Sequence, residues 1–304
     1  MTTMRPLALH RNSASALLLV IWAIMMLSAA MVAWTYWVHT NLERAGDESR
    51  AVEAKAMAHS GLALALHPSV TEKTPGLEEA VNSMMGFRVR IIGEGGKLNI
   101  NTLLQGEDPV RMEILKRWLE LHGLDYQQRE VLVDCLIDYT DADNVKRLHG
   151  VEDEPGYTPP NRPFNSIEEI AEVANVEPLL RSPGWEDELT IYSDGRIDLS
   201  SANEEILRLI PGLSEPRIQT FLQKRRGPDK VDGTKDDFTF KNVKDVWVVL
   251  GLTPAQQAEM GKLVTLNDQT KRIISEGQSG NVLRQVEVVA IKGTGKPTIK
   301  YWKE

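Results

Sequence analysis

The feature that most limits the fold of this chain is a long segment near its N-terminus without formal charge. No Asp, Glu, Lys or Arg occurs from Asn12 to Leu42, and the most apolar part runs from Ala16 to Val38. About 20 apolar residues in a helix cross a hydrocarbon core roughly 30 Å thick, whereas the apolar region of a signal peptide spans only about 7–15 residues. We therefore predict a transmembrane helix over residues 15–42, preceded by a cytoplasmic leader-like segment, residues 1–14.

The flanking charges predict the orientation of this helix. Arg5 and Arg11 precede the span, whereas Glu43, Asp47 and Glu48 follow it. Positively charged flanks stay in the cytoplasm, so the rest of the chain is expected outside, in the periplasm of a double-membrane bacterium. An aromatic belt at the outer interface is formed by Trp34, Tyr36 and Trp37.

The helix is predicted to continue beyond the membrane as a stem, residues 43–67. Small and apolar residues recur there at a spacing of three or four and share one face of a helix: Ala51, Ala54, Ala58, Leu62 and Ala65. Small side chains allow a neighbouring helix to approach closely, and Pro68 ends the run. We expect this stripe to pack against neighbouring stems.

Two hairpins and a helical insertion are predicted after the stem, which makes the fold class α+β. Residues 87–92 alternate apolar and polar, and residues 97–101 follow a glycine-rich turn, so segment 84–101 reads as one hairpin. Segment 282–303 reads as a second. We expect both hairpins to form one small antiparallel sheet, with the mainly helical residues 102–275 inserted between them.

The insertion contains a weak internal repeat. Residues 96–102 match residues 195–201 in residue type, and residues 164–170 match residues 240–246. Each half is therefore predicted to hold a short strand, an N-capped helix and a second N-capped helix. The expected caps are Thr102, Ser166 with Glu169 as a capping box, Ser201 and Asn242.

One part of the second half resembles the helix-hairpin-helix unit of competence DNA-binding proteins. The segment 197–225 contains a Pro211-Gly212 hairpin, which in such units directs backbone N–H groups at a phosphate. Here Glu215 and Pro216 follow the hairpin, and the chain has a net charge of -8. A packing or protein-interaction unit is favoured and nucleic acid is not expected as a partner; a membrane-anchored DNA-binding protein is the alternative function.

An acidic segment leaves two interpretations open. Asp138, Asp141 and Asp143 are followed by Glu152 and Asp153. Ca²⁺ takes about six to eight oxygen ligands from such residues, but Asp also favours solvated turns.

The single cysteine, Cys135, lies in an apolar run and reads as a buried hydrophobe. No nucleophile elbow or phosphate loop is apparent in the sequence, so an enzyme is not expected.

Taken in order, these pieces resemble the minor pseudopilin K family of type II secretion systems (GspK, general secretion pathway protein K) over nearly the whole chain. The segments that carry the resemblance are the apolar helix with its stem ending at residues 58–62, then residues 92–102, 136–143, 150–153 and 161–170. The resemblance implies a pilin-like fold, in which the long N-terminal helix packs on the sheet and the insertion has helix-hairpin-helix or SAM-like halves. It also implies a place in the inner membrane and at the tip of the pseudopilus, assisting protein export across the outer membrane. The implied partners are the minor pseudopilins I and J, the major pseudopilin, the assembly platform and the lipid bilayer.

The same resemblance assigns individual residues. It implies Ca²⁺, and no other cofactor, at Asp141, Asp143, Glu152 and Asp153. The best alignment with family leaders places prepilin peptidase cleavage between Ala14 and Ser15, where Ala replaces the usual Gly and predicts slow or absent cleavage. Leu19 is then the fifth mature residue, where most pilins carry a Glu and K subunits do not.

Overall fold

The computed structural model describes residues 13–82, 84–234 and 236–304. The helices are α1 Ser13–Ala65, α2 Ile100–Leu104, α3 Pro109–Leu121, α4 Tyr126–Thr140, α5 Glu177–Leu180, α6 Trp185–Glu188, α7 Glu204–Leu209, α8 Glu215–Arg225, α9 Val243–Leu250 and α10 Pro254–Leu263. The strands are β1 Glu78–Ala80, β2 Met85–Gly93, β3 Leu98–Asn99, β4 Leu189–Thr190, β5 Ile197–Asp198, β6 Val264–Thr265, β7 Thr270–Ser279, β8 Val282–Ile291 and β9 Thr298–Lys303.

Helix α1 runs without interruption from the apolar segment through the stem. Among the described residues it is the one helix long and apolar enough to cross a membrane by length and composition, and an 18-residue window of it has a mean hydropathy of 2.5. The proposed processing junction of Ala14 and Ser15 lies in its first turn, whereas residues 1–12 of the predicted leader fall outside the described residues. Lys292 Nζ holds the C-terminal end of α1 in place. It donates to the carbonyl oxygen of Ala65, the last residue of the helix, and at 2.7 Å to that of Val70 in the segment that follows.

The stem packs on the sheet of its own chain. Ala54, Ala58 and Ala65 are fully buried, and Ser275 Oγ of β7 donates to the carbonyl oxygen of Ala58 at 2.7 Å. A Cβ atom at Gly277 of β7 would lie 2.0 Å from the carbonyl oxygen of Ala54. The expectation that this stripe faces neighbouring stems is therefore wrong, because small residues admit a strand as readily as a helix.

The sheet has five strands in the order β1-β2-β7-β8-β9, all antiparallel. The predicted hairpin β8–β9 is present, but the pairing predicted within 84–101 is wrong, since β2 pairs with β7 along its full length. Helix α2 begins at Ile100 because the Asn99 side chain accepts from the backbone N–H of Thr102 and caps it. The insertion also ends earlier than predicted, because β7 begins at Thr270 rather than after Ser275.

The inserted domain consists of two halves with the same frame. In the first half β3 pairs in parallel with β4, and in the second half β5 pairs in parallel with β6. Both halves contribute to one continuous hydrophobic core. The structure thus supports the internal repeat.

The helix caps agree with the predicted repeat only in part. Asn242 caps α9 in a capping box with Asp245, as predicted. The caps predicted at Thr102 and Ser201 are wrong, because Asn99 and Asn203 take those places. Glu168–Glu172 is a 3₁₀ turn without a side-chain cap, so the predicted capping box of Ser166 and Glu169 is also wrong.

The inserted domain lies at the end of the sheet farthest from the apolar segment. Going outward along α1, Glu53 first meets Ser279, with 2.7 Å between Glu53 Oε2 and Ser279 Oγ, and Ala65 then meets Lys292. The chain leaves the sheet at Gly93 and returns at Thr270, both at this second end. The helical domain therefore extends the molecule beyond the tip of the stem.

Candidate metal centre

The acidic segment forms around the C-terminal turn of α4. Asp138 lies in this turn and is fully buried, and its Oδ2 accepts from the backbone N–H of Arg147 at 3.2 Å. A Cβ atom at Gly150 would lie 1.9 Å from the same Oδ2, so only glycine fits there. A carboxylate at the C-terminus of a helix faces the negative end of the helix dipole, which leaves it short of positive charge.

Four buried side-chain oxygens in this region have no hydrogen-bond partner within the described part of the chain. They are Asp138 Oδ1, Asp141 Oδ1, Glu152 Oε1 and Asn161 Oδ1. An unsatisfied buried polar atom costs about 1–3 kcal/mol, and more when it is charged. Oxygens of carboxylates and amides are the ligands that Ca²⁺ prefers, so the residues present fit that cation.

The pKa values of these carboxyl groups also indicate a shortage of positive charge around them. Burial raises the pKa of Asp138, Asp141 and Glu152 above the usual range. Neighbouring carboxylates add to the effect: the charges of Asp138 and Asp141, for example, raise the pKa of Glu152 further. A cation would favour the ionised forms.

The four residues that the family resemblance assigned to calcium fall into two groups in the structure. Asp141 and Glu152 each turn an unpaired oxygen inward. Asp143 and Asp153 are exposed, and their carboxylates accept from the backbone N–H of Val145 at 2.8 Å and from Thr158 Oγ1 at 2.9 Å.

Two further residues bring an unpaired oxygen to this region: Asp138, which lies in the predicted acidic segment but not in the set that the resemblance implies, and Asn161, which sequence reasoning missed. For Asp138 a signal existed in the sequence, because it continues the apolar run 131–137 and a carboxylate there is placed in the core. Asn161 offered no such signal. In residues 13–82, 84–234 and 236–304, no group of three His, Cys, Asp or Glu side chains stands ready to hold a metal ion. The fit depends on the unpaired oxygens and not on a preformed cage.

The helix-hairpin-helix segment lacks the electrostatics of a phosphate site. Glu215 occupies the first turn of α8, beside the Pro211-Gly212 hairpin, and accepts from Arg208 Nε at 2.9 Å. The hydrogen bond from Arg208, followed by one from Gln219, lowers the pKa of Glu215 to about 2. A permanent negative charge thus stands where a phosphate would bind, which opposes the DNA-binding alternative.

A partly buried Ser-His-Glu set links the end of α3 to the segment before β4. His122 Nδ1 lies 2.8 Å from Ser182 Oγ, and His122 Nε2 lies 3.1 Å from Glu188 Oε2. The same carboxylate oxygen accepts from Trp118 Nε1 at 2.7 Å, and the Trp118 and His122 rings pack edge to face. These contacts fasten the first half of the domain around Trp118.

Comparison with known proteins identifies the architecture. Residues 96–182 match the family described as type II secretion system (T2SS), protein K. The fold matches a chain in the crystal structure of the GspK-GspI-GspJ complex from the enterotoxigenic Escherichia coli type 2 secretion system, with a TM-score of 0.60 and 12% identity, over 88% of this chain and 98% of that chain. No curated protein sequence matches.

A long apolar helix on an antiparallel sheet, together with the matched domain, defines a pilin-like component of a type II secretion system. Within that class the family match over residues 96–182 and the shared fold confirm the resemblance to the protein K (GspK) family of minor pseudopilins that was found in the sequence. The family is a structural one.

Proposed function

We propose that this minor pseudopilin caps the tip of the pseudopilus and so assists protein export across the outer membrane. The observation that carries the proposal is the position of the inserted domain, which extends beyond the outer end of the stem. A bulky domain at that end blocks the addition of a further subunit above. Leu19 is consistent with this place, because an unpaired carboxylate in lipid costs roughly 2.5–3.5 kcal/mol and a tip subunit has no upper neighbour to pair with it.

The proposed setting is the inner membrane, with the N-terminus in the cytoplasm and the sheet and inserted domain in the periplasm. The proposed partners are minor pseudopilins of the I and J types, the major pseudopilin and the assembly platform. The similar solved chain was crystallised in a GspK-GspI-GspJ complex, which supports the minor pseudopilins of the I and J types as partners. The outer face of the stem is available for them, since Val52 is 71% exposed and Ala56 and Ala63 are exposed as well.

Labelling of the assembled filament tests the tip position. A short peptide tag inserted at Gly295, in the exposed turn between β8 and β9, can be decorated with gold particles. We expect one particle at one end of each pseudopilus. Particles spaced along the filament would contradict the proposal.

Protease treatment of spheroplasts tests the orientation, because a periplasmic domain is cleaved without membrane lysis.

We also propose that Ca²⁺ binds the acidic site with a structural role, held by Asp138, Asp141, Glu152 and Asn161. Calorimetric titration of the detergent-solubilised chain with Ca²⁺ is expected to show binding that Asp138→Asn or Asp141→Asn abolishes. Asp143→Asn is the matched control, and its effect distinguishes the ligand set of the structure from the set implied by the family resemblance. Equal loss in all three variants would favour the latter.

A further inference from the structure

Arg147 is the basic residue closest to the buried Asp138. Its Nε lies 3.6 Å from Asp138 Oδ1, beyond hydrogen-bonding distance, and its backbone N–H donates to Asp138 Oδ2. The Nε atom is itself buried without an acceptor among the described residues. The outer end of the guanidinium is held elsewhere, by a hydrogen bond to Glu107 Oε1. Arg147 therefore faces the acidic site and pairs with Asp138 by charge, but its side chain does not form a hydrogen bond with that carboxylate.

The balance of charge at the site is uneven. Three carboxylates, Asp138, Asp141 and Glu152, each have an unpaired buried oxygen. Arg147 supplies one positive charge and shares it with Glu107. When all three carboxylates are ionised, they lack about two positive charges even if Arg147 is counted in full, and one divalent cation carries that charge.

We infer that Arg147 is an internal counter-ion that stabilises the acidic site without metal and weakens its affinity for Ca²⁺. The inference rests on the proposed calcium site. A guanidinium beside Asp138 Oδ1 offsets part of the repulsion among the carboxylates, and the same positive charge opposes the arrival of a divalent cation. Glu107 moderates both effects because it draws the guanidinium away from Asp138. Arg147 is thus a positioning residue that sets the calcium concentration at which the site fills.

Calorimetry of the full chain in detergent tests this role. We expect Arg147→Gln to bind Ca²⁺ about tenfold more tightly or better, a factor that corresponds to about 1.4 kcal/mol. The melting temperature of the same variant in a chelator should fall. Arg147→Lys keeps the charge and should bind Ca²⁺ nearly as the unchanged chain does. Arg196→Gln, which removes an exposed Arg paired with Asp194 in the other half of the domain, is the matched control.

Glu107→Gln provides a second test with the opposite sign. It frees the guanidinium for Asp138, so Ca²⁺ binding should weaken, and this loss should vanish in a chain that also carries Arg147→Gln. Unchanged or weaker Ca²⁺ binding in Arg147→Gln would overturn the inference while leaving the calcium site standing. If Arg147→Gln does not fold, a Glu107→Gln chain with unchanged or tighter binding overturns it instead. Absence of Ca²⁺ binding by the unchanged chain overturns both proposals.

Discussion

Gly150 shows how a missing side chain shapes the acidic site. The Asp138 carboxylate occupies the space where a Cβ atom would lie, and the backbone of Gly150 closes the loop over it. We predict that Gly150→Ala displaces Asp138, lowers the free energy of unfolding by about 1–3 kcal/mol and weakens Ca²⁺ binding. Thermal unfolding with calorimetry checks both effects. Gly295→Ala, at a position with open space around it, should change neither.

Glu94 is the buried charge at the junction of sheet and inserted domain. It is fully buried and accepts from Arg272 Nε at 2.6 Å, while Lys97 Nζ lies at 3.6 Å and Thr190 also donates to it. Burial by itself would raise the pKa of Glu94, but the hydrogen bond from Arg272 and the charge of Lys97 outweigh it and hold the pKa below 4.5. Such a group stabilises the fold above its unfolded-state pKa and loses that contribution as pH falls through its folded-state pKa.

Glu94→Gln is therefore predicted to act in two ways. It leaves the Arg272 guanidinium short of a buried partner and should cost about 3–5 kcal/mol of unfolding free energy at neutral pH. It should also remove the part of the acid destabilisation below about pH 4.5 that Glu94 causes. Urea unfolding at pH 7 and pH 4 measures both. A variant as sensitive to acid as the unchanged chain would contradict the assignment, and the exposed Glu78→Gln is the control.

At the scale of elements, the sequence predicts most securely the structures that depend on local pattern. The charge-free run and the small residues that follow it predict α1, and the alternation in Val282–Ile291 predicts β8. Strand β7 was missed because it carries Lys271, Arg272 and Glu276, whose charges hide the alternation. The pairing of β2 with β7 joins residues far apart in the chain, and no local signal specifies it.

The close approach of α1 and β7 gives a test at this scale. Ala58 is fully buried against β7, whereas Ala56 on the same helix is exposed. We predict that Ala58→Leu forces the helix off the sheet and costs about 1–3 kcal/mol, while Ala56→Leu is tolerated. Melting temperatures of the two variants in detergent check this. Equal melting temperatures would mean that the stem does not rest on its own sheet.

For the whole molecule, the sequence predicted the order of stem, strands and inserted domain along the chain, but only the structure shows at which end of the sheet the inserted domain lies. The inserted domain was expected between strands, and only the register of β2 and β7 shows that it leaves the sheet at the outer end. The calcium site itself stays a prediction. Asp141 and Glu152 belong to the set that the family resemblance implies, whereas Asp138 and Asn161 bring unpaired oxygens to the same region through tertiary packing of α4 against a later loop.

The orientation of the stem decides which of its faces can meet a partner. Ala58 lies against β7, so exposed residues such as Val52 and Ala56 are the ones that can contact another stem. We predict that Val52→Cys forms a disulfide with a cysteine placed on the stem of an I-type or J-type subunit, and that Ala58→Cys does not. A disulfide requires Cα atoms about 4.4–6.8 Å apart, so the crosslink reports direct packing.

The single native cysteine makes this experiment clean. Cys135 is fully buried, and burial raises the pKa of its thiol, so little reactive thiolate is present at neutral pH. The unchanged chain should therefore give no crosslink and needs no substitution. Oxidation of membranes that contain the co-expressed subunits, followed by non-reducing electrophoresis, measures the outcome. A crosslink from Ala58→Cys of equal yield would show that the stem leaves its sheet in the filament, and the packing described for α1 would then hold only for the isolated subunit.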